Sequence, residues 1–105
     1  MQIQFNSDRN IDGNEKMREQ VVSIVQETLQ RFASDVTRVE VHVTDVNSEK
    51  FGEQDKRCAM EARIKGLNPA AVTHQAATVE QAVRGAADKM RNTLTSTMGK
   101  LRNRR

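Results

Sequence analysis

Apolar and polar residues alternate at the start of the chain. Ile3 and Phe5 lie on one side and Gln2 and Gln4 on the other, which predicts a short strand from Gln2 to Asn6 with one wet face. A polar connection, Ser7 to Gly13, follows, and then the period changes. Met17, Val21, Ile24, Val25, Thr28 and Phe32 recur at helical spacing and predict a helix running to about Ser34. Asp12, followed three residues later by Glu15, supplies its start signal, which Gly13 and Asn14 leave open by a residue or two.

Alternation returns at Val39, Val41 and Val43, set between Arg38, Glu40, His42 and Thr44, and predicts a half-buried second strand. Asn47 to Asp55, with Gly52 among polar residues, reads as a loop. In the third strand Cys58, Met60, Ala62 and Ile64 face inward between Arg57, Glu61, Arg63 and Lys65. Gly66-Leu67-Asn68-Pro69 is a turn, because Pro69 fixes its own φ and biases Asn68 towards extended geometry. A weaker fourth strand, Ala71 to Ala76, places Val72, His74 and Ala76 on one side.

The last quarter, Thr78 to Arg105, reads as one long amphipathic helix with an apolar stripe of Val79, Val83, Ala86, Met90, Leu94, Thr97 and Leu101. Thr78 and Gln81 are spaced as a capping box, which satisfies two backbone donors at the helix start. The element order is β-α-β-β-β-α. A strand-helix-strand start favours a crossover that leaves strands one and two parallel, and the short later links favour antiparallel neighbours. Strands with one apolar face and helices with one apolar stripe bury both by packing together. The expected fold is therefore α+β: a two-layer sandwich, a four-stranded sheet with two helices on one face and a polar open face on the other. At 105 residues the chain is read as a single domain, 1–105.

Charge is distributed unevenly over these elements. From Arg84 onward the chain carries seven Lys or Arg against one acid, Asp88, whereas the residues before it carry ten against thirteen. A mildly acidic body thus carries a basic helix, an asymmetry that suits a polyphosphate partner. At 100° per residue Arg84, Arg91 and Arg102 share one edge of the apolar stripe, and Lys89 and Lys100 share the other. These five, Arg84, Lys89, Arg91, Lys100 and Arg102, are the candidate contacts to such a partner. The same cations near a helix C-terminus also complement its dipole, so the placement has a purely structural reading as well.

Other chemistry is sparse. Three Phe and no Trp or Tyr leave little with which to stack single-stranded bases. His42 falls on the outer sheet face and Cys58 and His74 on the inner one, so they do not converge on a metal, and no metal site or cofactor is expected. The acids suggest no general acid and base pair, and there is no phosphate-binding glycine loop, so the protein is not expected to be an enzyme or to take a small-molecule substrate. Arg57, Arg63 and Lys65 interleave with Glu40 and Glu61 on the outer face, where cross-strand pairing is the simplest account of them. One cysteine, no secretory signal pattern and no membrane-length apolar run predict a cytoplasmic protein with no membrane partner.

The order of elements and several short motifs together resemble the ribosome hibernation-promoting factor family, the ribosome-associated inhibitors or ribosomal-subunit interface proteins. Met1-Gln2-Ile3-Gln4-Phe5 is similar to the family's first strand, Met17-Arg18-Glu19 with Phe32 to its first helix, and Arg38-Val39-Glu40-Val41-His42-Val43 to its second strand. Ala82-Val83, Asp88-Lys89-Met90 and Leu94 resemble its last helix and are the most specific stretch. The resemblance covers essentially the whole chain and implies a short form, without an added C-terminal domain. It implies a non-enzymatic protein that binds the small ribosomal subunit and its rRNA in the messenger and transfer RNA channel and blocks translation when growth slows. Lys89 is the clearest positional match and Lys100 the next; Arg84, Arg91 and Arg102 rest on the helical wheel. The chain departs from the family pattern at Glu80, where an aromatic is frequent, at Thr95-Ser96-Thr97-Met98, where lysines are frequent, and in the long Asn47 to Asp55 loop. A contrasting reading is a protein-binding module that takes an acidic partner through the open sheet.

Overall fold

A computed structural model describes residues 1–8, 11, 13–46 and 55–102, Arg102 by its backbone alone. The chain forms strand β1 (Gln2–Ser7), helix α1 (Glu15–Leu29), strands β2 (Val36–Asp45), β3 (Lys56–Ile64) and β4 (Ala70–Ala76), and helix α2 (Val79–Arg102). The sheet order is β1-β2-β3-β4. β1 and β2 are parallel, and β2-β3 and β3-β4 are antiparallel. Both helices cover one face, α1 beside β1 and α2 over β3 and β4, and they pack against each other. This is the two-layer α+β sandwich that the periodicity predicts.

The period-two residues fill the core as expected. Phe5, Val39, Val41, Val43, Cys58, Met60 and Ala62 are buried between the layers, against Val21, Val25 and Leu29 of α1 and Val83, Met90 and Leu94 of α2. A register shift between Val36 and Arg38 extends this pattern. Val36 pairs with Ile64 and Arg38 with Arg63, so Thr37 is the extra residue of a β-bulge. The bulge lets Val36 and Val39, three positions apart, both face the core. Simple alternation from Arg38 onward leaves Val36 out.

The first helix begins within the residue or two that its start signal leaves open and ends sooner than expected. Asn14 is the N-cap, its Oδ1 accepting from the Met17 N–H at 2.8 Å, while Asp12 lies outside the described residues. The helix closes at Leu29, and a 3-10 turn, Gln30–Phe32, carries Phe32 into the core in place of the helix expected to about Ser34. The connection between β1 and α1 is not wholly polar, because Ile11 is buried. Of the loop between β2 and β3, residues 47–54 lie outside the described residues; its ends are joined by the Val46 N–H donating to the Asp55 carbonyl at 2.8 Å. Gly66 has φ +71°, a left-handed conformation that glycine adopts without steric cost, at the turn between β3 and β4.

Two expectations need correction. Leu101 is not part of the buried stripe; it is 41% exposed. A helix of 24 residues is about 36 Å long, whereas the seven-residue β4 spans about 23 Å, so the end of α2 runs past the sheet and the core beneath it stops at Leu94. Charge pairing on the open face does not run across the strands either. Glu40 lies opposite Glu61 and Arg38 opposite Arg63. The ion pairs run along each strand instead, Arg38 to Glu40 at 3.3 Å and Arg63 to Glu61 at 3.9 Å, because residues two apart share a face.

Candidate nucleic-acid interface

Helix α2 carries the candidate residues, and its start is fixed locally. The Thr78 Oγ1 accepts from the Gln81 N–H at 3.1 Å, and the Thr78 carbonyl accepts from the Ala82 N–H at 2.9 Å. The Gln20 amide donates to the Glu80 carboxylate and so ties α1 to the first turn of α2. Small residues on the inner side, Ala82, Ala86 and Ala87, are fully buried and allow the helix to sit close to the layer beneath. The buried stripe leaves the cations on the two flanks.

Arg84 and Arg91 stand two turns apart on one flank, both exposed. Arg84 pairs with Glu80 at 3.4 Å and Arg91 with Asp88 at 3.4 Å. Exposed pairs of this kind are worth roughly 0.3–0.5 kcal/mol, so a phosphate can replace either carboxylate at little cost. Lys89 stands on the opposite flank and is engaged: its Nζ donates to the backbone carbonyl of Thr73 on β4 at 2.8 Å. Lys100 is exposed near the helix end beside Leu67, Thr97 and Leu101. The side chain of Arg102 lies outside the described residues. Arg84 and Arg91 therefore share one surface, and Lys89 does not join them.

Helix α1 adds cations that attention to the last helix passes over. Lys16 and Arg18 are exposed in its first turn. Arg31, in the 3-10 turn, is exposed with its guanidinium 5.2 Å from the centroid of the Phe32 ring, a cation-π geometry. Their scatter among Glu15, Glu19 and Glu27 gives no net charge excess in sequence, which is why the signal is weak there.

The remaining candidate chemistry is structural. Cys58 is fully buried, and burial pushes its thiol up to about 12, the opposite of what a nucleophile requires. His74 sits opposite Cys58 in the β3-β4 register, and His42 is on the open face near Asn6. Among the described residues no group of three or more His, Cys, Asp or Glu is arranged to hold a metal, and no helix is long and apolar enough to cross a membrane.

A two-layer sandwich with a basic helix on its outer layer defines the class: a small α+β domain able to meet a polyanion. The family is then given by sequence: the chain belongs to the family described as Sigma 54 modulation protein / S30EA ribosomal protein, whose model matches residues 3–102, and this is the hibernation-promoting factor family that the motifs resemble. The fold is shared with the Thermus thermophilus Protein Y N-terminal domain, at 16% identity and a TM-score of 0.73, over 92% of this chain and 99% of that one. It is also shared with a ribosomal subunit interface protein from Coxiella burnetii, at 13% identity and a TM-score of 0.70, over 94% of this chain and 99% of that one. No curated protein matches the chain in sequence.

Proposed function

We propose that this protein associates with the small ribosomal subunit in the cytoplasm by binding rRNA along α2, and that it modulates translation under stress by occupying the messenger and transfer RNA channel. It acts by occupancy, without catalysing a reaction. The observation that carries this reading is the concentration of cations in the last part of a chain from a ribosomal-protein family: seven Lys or Arg against one acid from Arg84 onward. Arg84, Arg91, Lys100 and Arg102 are the proposed phosphate contacts, with Lys89 recruited when it leaves Thr73.

If about four phosphates are neutralised, the log-log salt slope is about −3.6 by the rule for duplex DNA, and raising salt from roughly 50 to 200 mM weakens binding on the order of a hundredfold. The test is co-sedimentation with 30S subunits in a sucrose gradient. Reversing Arg84 and Arg91 to Glu is expected to remove most association. Reversing Arg57 and Arg63 to Glu, with the same change in net charge, is expected to have a smaller effect; the opposite ranking would refute the reading. The contrasting idea of an acidic protein docked on the open sheet draws little support from that face, where Glu40 and Glu61 lie beside Arg38 and Arg63 and an acidic partner meets both signs.

A further inference from the structure

The open sheet face holds its charges in rows. Across β2 and β3, Arg38 lies opposite Arg63, and one pleat further along Glu40 lies opposite Glu61. Like charges directly opposite one another are destabilising in an isolated antiparallel pair. Each is offset by its neighbour along the strand, at 3.3 Å for Arg38 with Glu40 and 3.9 Å for Arg63 with Glu61, and Arg38 also donates to the Gln4 side chain. Arg63 is exposed and the other three are half-buried. Next to the glutamate row, Ala59, Ala71 and Thr73 leave a shallow depression with His42 at its border.

We propose that this face is a self-association surface whose occupant is a second copy of the chain. Consider a two-fold axis in the interface plane, running across the strands midway between the arginine and glutamate rows. It lays β2 over β2 and β3 over β3 with the strands reversed. Arg38 of each copy then faces Glu40 of the other, and Arg63 faces Glu61. A surface that repels itself within one copy becomes complementary between two, as an isologous contact requires. The axis crosses β1 and β4 at their ends, level with Ile3 and Ala70, so the copies overlap chiefly along β2 and β3. A patch about 10 by 20 Å buries roughly 400 Å² in total, below the range of stable interfaces. The dimer is therefore concentration-dependent, and it weakens with salt because its contacts are rim-accessible charges. The proposal does not rest on ribosome binding, which uses the opposite layer.

Sedimentation equilibrium of the full chain, without nucleic acid, tests it. Wild type is expected to dimerise reversibly in the millimolar range at low salt and to dissociate at high salt. Arg63→Glu at an exposed position and Glu61→Arg at a half-buried one should each weaken the dimer at least tenfold when alone. Mixed in equal amounts they should recover it, because position 63 of either copy faces position 61 of the other with opposite sign again. Recovery on mixing cannot come from a folding defect. A wild type that stays monomeric throughout, single reversals that leave association unchanged, or a mixture that stays monomeric would each overturn the proposal. So would wild-type monomers whose open face instead binds RNA in a manner abolished by Arg63→Glu.

Discussion

The imidazole of His74 on β4 lies against the bare backbone of Gly85 on α2, in the space that a side chain at residue 85 would fill. A Cβ there would stand 2.0 Å from Cδ2, 2.3 Å from Nε2 and 2.5 Å from Cγ of His74. Because Cγ is at the root of the ring, the clash cannot be relieved by moving the ring tip alone. The glycine sets how closely α2 approaches the edge of the sheet.

Gly85→Ala should therefore destabilise, since overpacking costs about 1–3 kcal/mol and outweighs a helix-propensity gain of about 1 kcal/mol. Gly99→Ala, with nothing within 4 Å of the added carbon, should show the gain alone. Adding His74→Ala to Gly85→Ala should recover part of the loss, giving a coupling energy in a double-mutant cycle of urea unfolding. Equal stabilisation by both glycine replacements would show that the ring is not held there.

Met90 is fully buried, so Met90→Ala should cost roughly 2–5 kcal/mol through lost transfer energy and the cavity left behind. Asn92→Ala and Leu101→Ala, both at exposed positions, should change the unfolding midpoint little. A large loss at Leu101 would place the end of the helix against the core after all.

Cys58 should react slowly with a thiol reagent in the folded protein and rapidly after denaturation. The free thiol titrates near 9.0 and the buried one at about 12, so unfolding releases a proton between those limits. Below pH 9 this group leaves stability unchanged; above it, stability should fall by about 1.4 kcal/mol per pH unit until about pH 12. Cys58→Val should remove that part of the alkaline decline, measured as the difference between the two denaturation curves. Fast labelling of the native protein at neutral pH would contradict the burial.

Lys89 and Lys100 should separate in RNA binding. Lys100→Ala should lower the salt slope by about 0.9 and leave stability nearly unchanged, as expected for one phosphate contact by an uncommitted cation. Lys89→Ala should shift the slope less and lower stability by about 0.5–1.5 kcal/mol, because it removes the bond to the Thr73 carbonyl. The reverse assignment would make Lys89 the principal contact.

Where period and burial coincide, the fold is legible in sequence: Val39, Val41 and Val43, and Cys58, Met60, Ala62 and Ile64, all face the core as alternation predicts. Val36 escapes because a bulge interrupts the alternation, and Ile11 because a lone apolar residue in a polar segment has no period. Leu101 is misassigned for a different reason: periodicity reports which side of a helix a residue is on but not where the sheet beneath it ends. The candidate site follows the same division. The wheel places Arg84 and Arg91 together, yet the Thr73 carbonyl that engages Lys89 and the carboxylates that pair with the arginines depend on distances between elements and on rotamers. The like-charge rows were invisible until the β2-β3 register was known.

The overhang of α2 gives the basic helix two grades of stiffness. Amides up to Leu94 lie over the core and should exchange with solvent only through global opening, whereas those from Thr97 to Leu101, with only partial packing at Met98, should exchange through fraying. A cation on the anchored part, such as Arg84 or Arg91, is presented already ordered; one at the overhang must be immobilised as it binds. A polyanion that grips Lys100 would therefore raise amide protection in the last turns first, and part of its binding free energy would be lost to ordering them.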